Sequence, residues 1–229
     1  TNGLHFKKYR LHTKIVLVTT AFLLLSGTLL FYIIEYNNTM KGMNVGERIL
    51  ASLFSATTAR TAGFNSVDTG SLTSASKLLT CVLMFIGGSP GSTAGGIKTT
   101  TIFILVVSLW SGITDRHKTA VFKRRFEDDA IKKASTVFTL NMFLAIFALF
   151  TILAITDLSL SDVMFEVFSA IGTVGMTTGI TRDLSSAARI IIMVLMFCGR
   201  VGSLSFALTF LQGKKDPPVY YPEEEISVG

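Results

Sequence analysis

Two glycine-centred loops set 112 residues apart constrain this chain more than any other feature. The first is Thr58-Ala-Arg-Thr-Ala-Gly-Phe-Asn65 and the second Gly172-Thr-Val-Gly-Met-Thr177. Gly63 and Gly175 hold matching places, and Val82-Leu-Met-Phe-Ile-Gly87 and Val194-Leu-Met-Phe-Cys-Gly199 follow at the same 112-residue offset. A shared offset at two separate landmarks marks an internal repeat. Each loop follows a short apolar stretch and precedes a longer one, so the repeating unit reads as helix, loop, helix.

The solvent for these units is lipid. Of 229 residues, 49% are hydrophobic and 16% charged, with mean hydropathy +0.55, against roughly 25% charged in a typical soluble domain. The net charge of +6 does not point to nucleic acid, because the basic residues cluster in short segments between apolar runs, as the positive-inside rule describes. Cys81 and Cys198 both fall inside apolar runs and read as packing residues. The first residues are polar and basic and the run after them is long enough to span, which predicts no cleavable signal peptide.

Residues 1–14 read as a cytoplasmic lead-in, and Ile15–Ile34 supplies the ~20 apolar residues of a spanning helix. Arg48–Thr58 is amphipathic and too short to cross, which fits a re-entrant helix ahead of the first loop. The apolar run from Leu78 to Gly112 is broken by Gly87-Gly-Ser-Pro-Gly-Ser-Thr-Ala-Gly-Gly-Ile-Lys98, with five glycines and a proline. Such backbone survives at membrane depth only when packed in protein or lining a wet cavity. Residues 114–133 form a basic, cytoplasmic loop. Ser135–Ile155 spans again, Val163–Ala170 is the second short helix, Ala187–Leu211 spans back, and 212–229 is a cytoplasmic tail. The expected class is an all-α membrane protein. It divides into a first unit, 15–113, whose second helix is broken by the Gly-rich loop, and a second unit, 134–211.

Thr173-Val174-Gly175-Met176 is close to the loop whose backbone carbonyls replace the hydration shell of potassium in channel filters. Thr61-Ala62-Gly63-Phe64 holds the corresponding places, so all eight residues are candidates to coordinate a cation. The alternative is a pair of turn glycines in outer loops, which the repeated placement after a short helix disfavours. Asn65 and Thr177 stand where a channel filter has a second glycine, which predicts looser coordination. The segment Gly87, Gly88, Ser89, Pro90, Gly91, Ser92, Thr93, Ala94, Gly95, Gly96 and Lys98 nearly spells a phosphate loop. However, Ile97 separates the glycine from the lysine, and no soluble strand precedes it. A movable obstruction below the filter is the better reading.

Arg200 lies about three helical turns beyond Arg189, where a cation is costly and usually functional. Three uses are open: an electrostatic barrier, a partner to carbonyls of the broken loop, or an ion pair with a distant acid. The first two together are favoured. Lys98 lies nearer the inner surface, which snorkelling explains. Arg60 is expected to point away from the pore and pair with Glu47 or Glu166, and Glu166 to support the filter from behind. His5, His12 and His117 lack metal-ligand spacing, and no nucleophile–base constellation appears, so no enzyme is predicted. The competing class is a secondary transporter with a midplane substrate site built from broken helices. A non-transporting scaffold is the third.

These motifs, in this order over nearly the whole chain, resemble the Trk/Ktr/HKT superfamily of potassium transporters, most closely the membrane subunits of its Ktr branch. The resemblance implies a potassium-channel-like pore, with potassium and a second candidate, sodium, as the ions. It implies a homodimer in the lipid of the bacterial cell (inner, plasma) membrane, multi-pass, controlled by a KtrA-like cytosolic ring of nucleotide-binding subunits. It also makes Gly87–Lys98 the gating loop and Arg200 the helix arginine beneath the filter. The family has four repeats per pore and this chain matches the third and fourth, so an N-terminal half with two further repeats is expected as a partner. A half-length protein assembling in pairs is the alternative, weakened because one unit has the broken loop and the other the arginine.

Overall fold

The computed structural model describes residues 9–114, 120–121, 124–125 and 128–202. Residues 1–8, much of the basic loop expected at 114–133, the end of the last span to Leu211 and the tail expected at 212–229 lie outside the described residues.

Helix α1, Leu11–Glu35, has 25 residues and a mean hydropathy of 2.2 over its most apolar window. At ~1.5 Å per residue it exceeds a ~30 Å hydrocarbon layer. Two of its hydroxyls are absorbed internally: Ser26 donates to the Phe22 carbonyl and Thr28 to that of Leu24, each at 2.7 Å. This suits hydroxyls in a helix that water does not reach. Helix α5, Asp128–Ile155, is the other described helix long and apolar enough to cross. It starts well before the expected Ser135, because the acidic and basic residues ahead of the apolar run continue the same helix.

The short helices are α2, Val45–Thr58, and α6, Leu160–Ile171. Helix α2 begins three residues before the expected Arg48, where a capping box forms: Glu47 Oε2 accepts the Asn44 N–H at 2.8 Å. Helices α3, Ser74–Phe85, and α7, Ser186–Val201, begin 112 residues apart. Their caps repeat as well, with Thr73 Oγ1 accepting from Ser76 N at 3.2 Å and Ser185 Oγ from Ala188 N at 3.3 Å. The duplication thus keeps the residues that start each helix.

The expected break appears between α3 and α4, Thr99–Ile113. Its ends are stitched by Ile97 N to Phe85 O (3.0 Å) and Thr99 N to Gly88 O (3.2 Å). Two antiparallel two-residue strands, Ala120–Val121 and Arg124–Arg125, and a 3-10 turn, Ile180–Arg182, complete the described elements.

Helix α1 packs on α2, α3 and α4, while α6 packs on α3, α5 and α7, so the seam between units is α3 against α6 together with α4 against α5. Two apolar clusters fill the interior, and each draws residues from both units. One centres on Ile97, Ile152, Val163 and Ile171, the other on Phe31, Ala56, Met84 and Phe165. Phe85 crosses the seam, edge to face on Phe168 with ring centroids 5.4 Å apart. Outward faces of α1, α4 and α5 expose Phe22, Leu25, Trp110, Phe143 and Phe150, a surface suited to hydrocarbon.

Candidate functional site

Each short helix ends where its chain turns into a loop with the same backbone signature. Thr61 and Gly63 have φ of 76° and 78°, and Thr173 and Gly175 have 52° and 87°, whereas Ala62 and Val174 between them do not. A positive φ at every second residue turns the backbone sharply at the same places in both loops. Left-handed backbone is unfavourable for threonine, a β-branched residue. Both positions are therefore held by their surroundings.

The two loops touch through their backbones. A β-carbon on Gly63 would lie 2.3 Å from the Val174 carbonyl oxygen, so only glycine fits. At Gly175 a β-carbon would meet nothing within 4 Å, and the constraint there is the backbone angle alone. The side chains of Val174 and Met176 are buried in the shared cluster beside Met84 and Phe165. Phe64, the repeat partner of Met176, is instead 69% exposed. Its backbone is tied by Thr58, whose hydroxyl donates to Phe64 O (2.6 Å) and accepts from Phe64 N (2.8 Å).

The Gly-rich loop sits directly beneath the second of these. Gly95 N donates to Thr173 Oγ1 at 2.9 Å, and Gly96 N to Ile171 O at 3.1 Å. A β-carbon at Gly95 would fall 2.5 Å from Thr173 Oγ1, and one at Gly172 would fall 2.6 Å from Met84 O. The glycines of this loop therefore permit backbone contact as well as a break in the helix. Gly199 on α7 does the same for the helices, since a β-carbon there would be 2.2 Å from Ile171 O.

The cations all address the loop's carbonyls. Arg200 donates to Thr93 O, the partner expected for it. Lys98 does not reach for the surface as expected; its ammonium turns back to Ala94 O and, at 3.5 Å, to Ser92 O. Three successive carbonyls of the loop are thereby held by two charged donors. The acid expected for Arg60 is also not its partner: Arg60 donates to Gly87 O at 3.3 Å. Glu47 is occupied by the α2 cap. Glu166 accepts from Thr181 Oγ1 at 2.9 Å and from Thr177 Oγ1, just past Met176.

Several contacts had no signal in the sequence. Glu35 at the end of α1 is fully buried. It accepts from Asn38 Nδ2 (2.8 Å), Thr39 N (3.3 Å) and Thr39 Oγ1 (2.8 Å) on one oxygen, and from Thr73 N (3.0 Å) and Thr73 Oγ1 (2.8 Å) on the other. On the same side of the molecule, Thr69 Oγ1 donates to Thr177 O at 2.5 Å and Lys77 pairs with Asp162 at 2.8 Å, joining the units. A run of isolated polar residues carries no such pairing pattern; a threonine three residues after another acid would have looked the same.

Residues 10–216 match the family described as TrkH, cation transport protein. Ktr system potassium uptake protein B of Bacillus subtilis is 37% identical over 98% of this chain and 51% of its own length. Its counterpart in Vibrio alginolyticus is 36% identical over 99% and 50%. Potassium/sodium uptake protein NtpJ of Enterococcus hirae is 38% identical over 97% and 51%. The chain therefore spans about half the length of the curated relatives it matches. The crystal structure of the potassium transporter TrkH from Vibrio parahaemolyticus superposes with a TM-score of 0.67 at 18% identity, covering 86% of this chain and 43% of that one. With the family matched over residues 10–216, a relative 37% identical over 98% of the chain and a shared helical fold, this chain is a helical membrane protein that belongs to the TrkH family of cation transport proteins.

Proposed function

We propose that this chain supplies two of the helix–loop–helix units around a potassium-conducting pore in the bacterial cell membrane. Units 15–113 and 134–211 span the membrane, and segments 1–14, 114–133 and 212–229 lie on the cytoplasmic side. Thr61–Phe64 and Thr173–Met176 present backbone carbonyls to the ion, which exchanges its hydration shell for them. The observation that carries this reading is the repeated left-handed pair at 61 and 63 and at 173 and 175, on two loops in direct backbone contact.

Gly87–Lys98 is the gate. It lies against Thr173 and is latched by Arg200, whose charge adds an electrostatic barrier to a cation in the path. Two loops do not encircle an ion, so the pore also requires an N-terminal half with two further repeats. A homodimer and a cytosolic nucleotide-binding regulator complete the assembly. Sodium is the second candidate ion, since the Enterococcus hirae relative is named a potassium/sodium uptake protein.

The test is isotope flux into liposomes carrying the natural protein that contains this chain. Gly175→Ser has room for its side chain but not the backbone angle, a strain of roughly 1–2 kcal/mol. Potassium preference over sodium should fall by about tenfold, the factor matching ~1.4 kcal/mol. An unchanged ratio in well-folded protein refutes the filter assignment. Uptake of another solute against its gradient would favour a midplane substrate site instead.

A further inference from the structure

We propose that Arg60 is a positioning residue that ties the gate loop to the first filter loop, so that gate and filter respond as one unit. This rests on the pore reading above. The argument starts from positions 60 and 172, which are equivalent in the 112-residue repeat and precede the two filter threonines. At 172 a glycine lets the gate loop approach as bare backbone, with Gly95 and Gly96 donating to Thr173 Oγ1 and Ile171 O. At 60 the same connection is made by reach, the guanidinium spanning to Gly87 O at 3.3 Å. The loop is thus fastened at its beginning to the lead-in of one filter and near its end to the lead-in of the other.

The repeat-equivalent threonines show the same division of labour. Thr173 Oγ1 is used by the loop, whereas Thr61 Oγ1 is buried and without a hydrogen-bond partner among the described residues. Arg60 carries the load on that side. Its Nε is also buried without a partner, and the ion pair found among the described residues, Lys77–Asp162, does not involve it. A half-buried cation satisfied by one carbonyl is a poor source of stability; it supplies a link. Beside it is a cavity of about 370 Å³ bounded by Thr20, Thr57, Arg60, Thr61, Ser89 and Thr93, which gives the loop room to swing once released. Arg200 holds the loop at Thr93, between these two fastenings.

The two arginines therefore separate by readout. Potassium and sodium fluxes are compared in liposomes carrying the natural full-length protein as wild type, Arg60→Met, Arg60→Lys and Arg200→Ala. Arg60→Met should raise flux and lower the potassium-to-sodium ratio about tenfold, the scale of one lost charge-assisted hydrogen bond. Arg60→Lys keeps a charged donor and should retain most of the ratio. Arg200→Ala should raise the flux of both ions with the ratio unchanged. A wild-type ratio in Arg60→Met, whatever its flux, overturns the link, and so does a ratio equally reduced in the Met and Lys variants. Should Arg60→Met not fold, Arg60→Gln, a neutral polar side chain two heavy atoms shorter than the guanidinium contact requires, decides between the same outcomes. A wild-type protein without potassium preference would instead overturn the pore reading.

Discussion

Glu35→Gln tests how much of this fold depends on a carboxylate at the end of its first helix. The side chain is fully buried and gathers five donors from Asn38, Thr39 and Thr73. An amide keeps one acceptor oxygen and presents two N–H groups in place of the other. In its better orientation it retains the three contacts from Asn38 and Thr39 and turns its NH2 towards Thr73. The Thr73 hydroxyl can rotate, but the Thr73 N–H cannot, and one buried backbone donor left unpaired costs ~1–3 kcal/mol. The three retained bonds fall from charged to neutral, at roughly 1 kcal/mol each, while the burial cost of the charge is relieved, which offsets part of the sum. The expected net loss is about 2–4 kcal/mol. Reversible unfolding in mixed micelles, followed by the fluorescence of Trp110, the single tryptophan, measures it. Glu35→Leu, which leaves all five donors unmet, should lose more. A loss under ~1 kcal/mol for Gln, or a Leu variant as stable as wild type, refutes the account.

Two further predictions concern the contacts between helices. The Asp162 carboxyl is raised by burial but held below its ordinary range by the Lys77 and Ser159 hydrogen bonds, with the Lys77 charge adding to them. Its folded pKa is thus depressed, so its contribution is present above the ordinary aspartate range near 4 and lost as pH falls through the folded value. Asp162→Asn should cost about 1 kcal/mol at neutral pH and flatten the acid limb of the stability profile; an unaltered limb would assign the pH dependence elsewhere. Gly199→Ala places a methyl 2.2 Å from Ile171 O, forcing α6 and α7 apart at ~1–3 kcal/mol. A thermal midpoint equal to wild type would show that the helices yield freely.

The helices and their punctuation were legible in the sequence because both come from local rules. Thr73 and Ser185 cap helices that start 112 residues apart, and the five glycines of Gly87–Lys98 mark the only interruption in a long apolar run. What the sequence hid was the choice of partner. In sequence Arg60 reads as pointing away from the pore, where it would repel cations, towards an acid, yet Glu47 folds back on its own helix start and Glu166 is taken by threonines. Lys98 had an equally good local option, the surface, and lost it to carbonyls four and six residues back. Glu35 had no pattern at all, since its ligands come from a turn after α1 and from a cap 38 residues away. Periodicity fixes where a side chain starts; three-dimensional packing decides what it meets.

Thr61 and Thr173 are β-branched residues at positive φ, a conformation costing each about 1–2 kcal/mol. At Thr61, whose hydroxyl meets no partner among the described residues, glycine would remove that cost, whereas at Thr173 it would also remove the acceptor of Gly95 N. On the proposed pore reading, the gain would come with a wider range of backbone shapes at the position where ions are told apart. An ion that fits only the strained shape then acts as its own clamp: occupancy stabilises the loops by mass action. Purification in potassium-rich rather than potassium-free buffer should accordingly extend the lifetime of the folded state, and the loops should be the first segments to exchange their amide hydrogens when the ion is withdrawn.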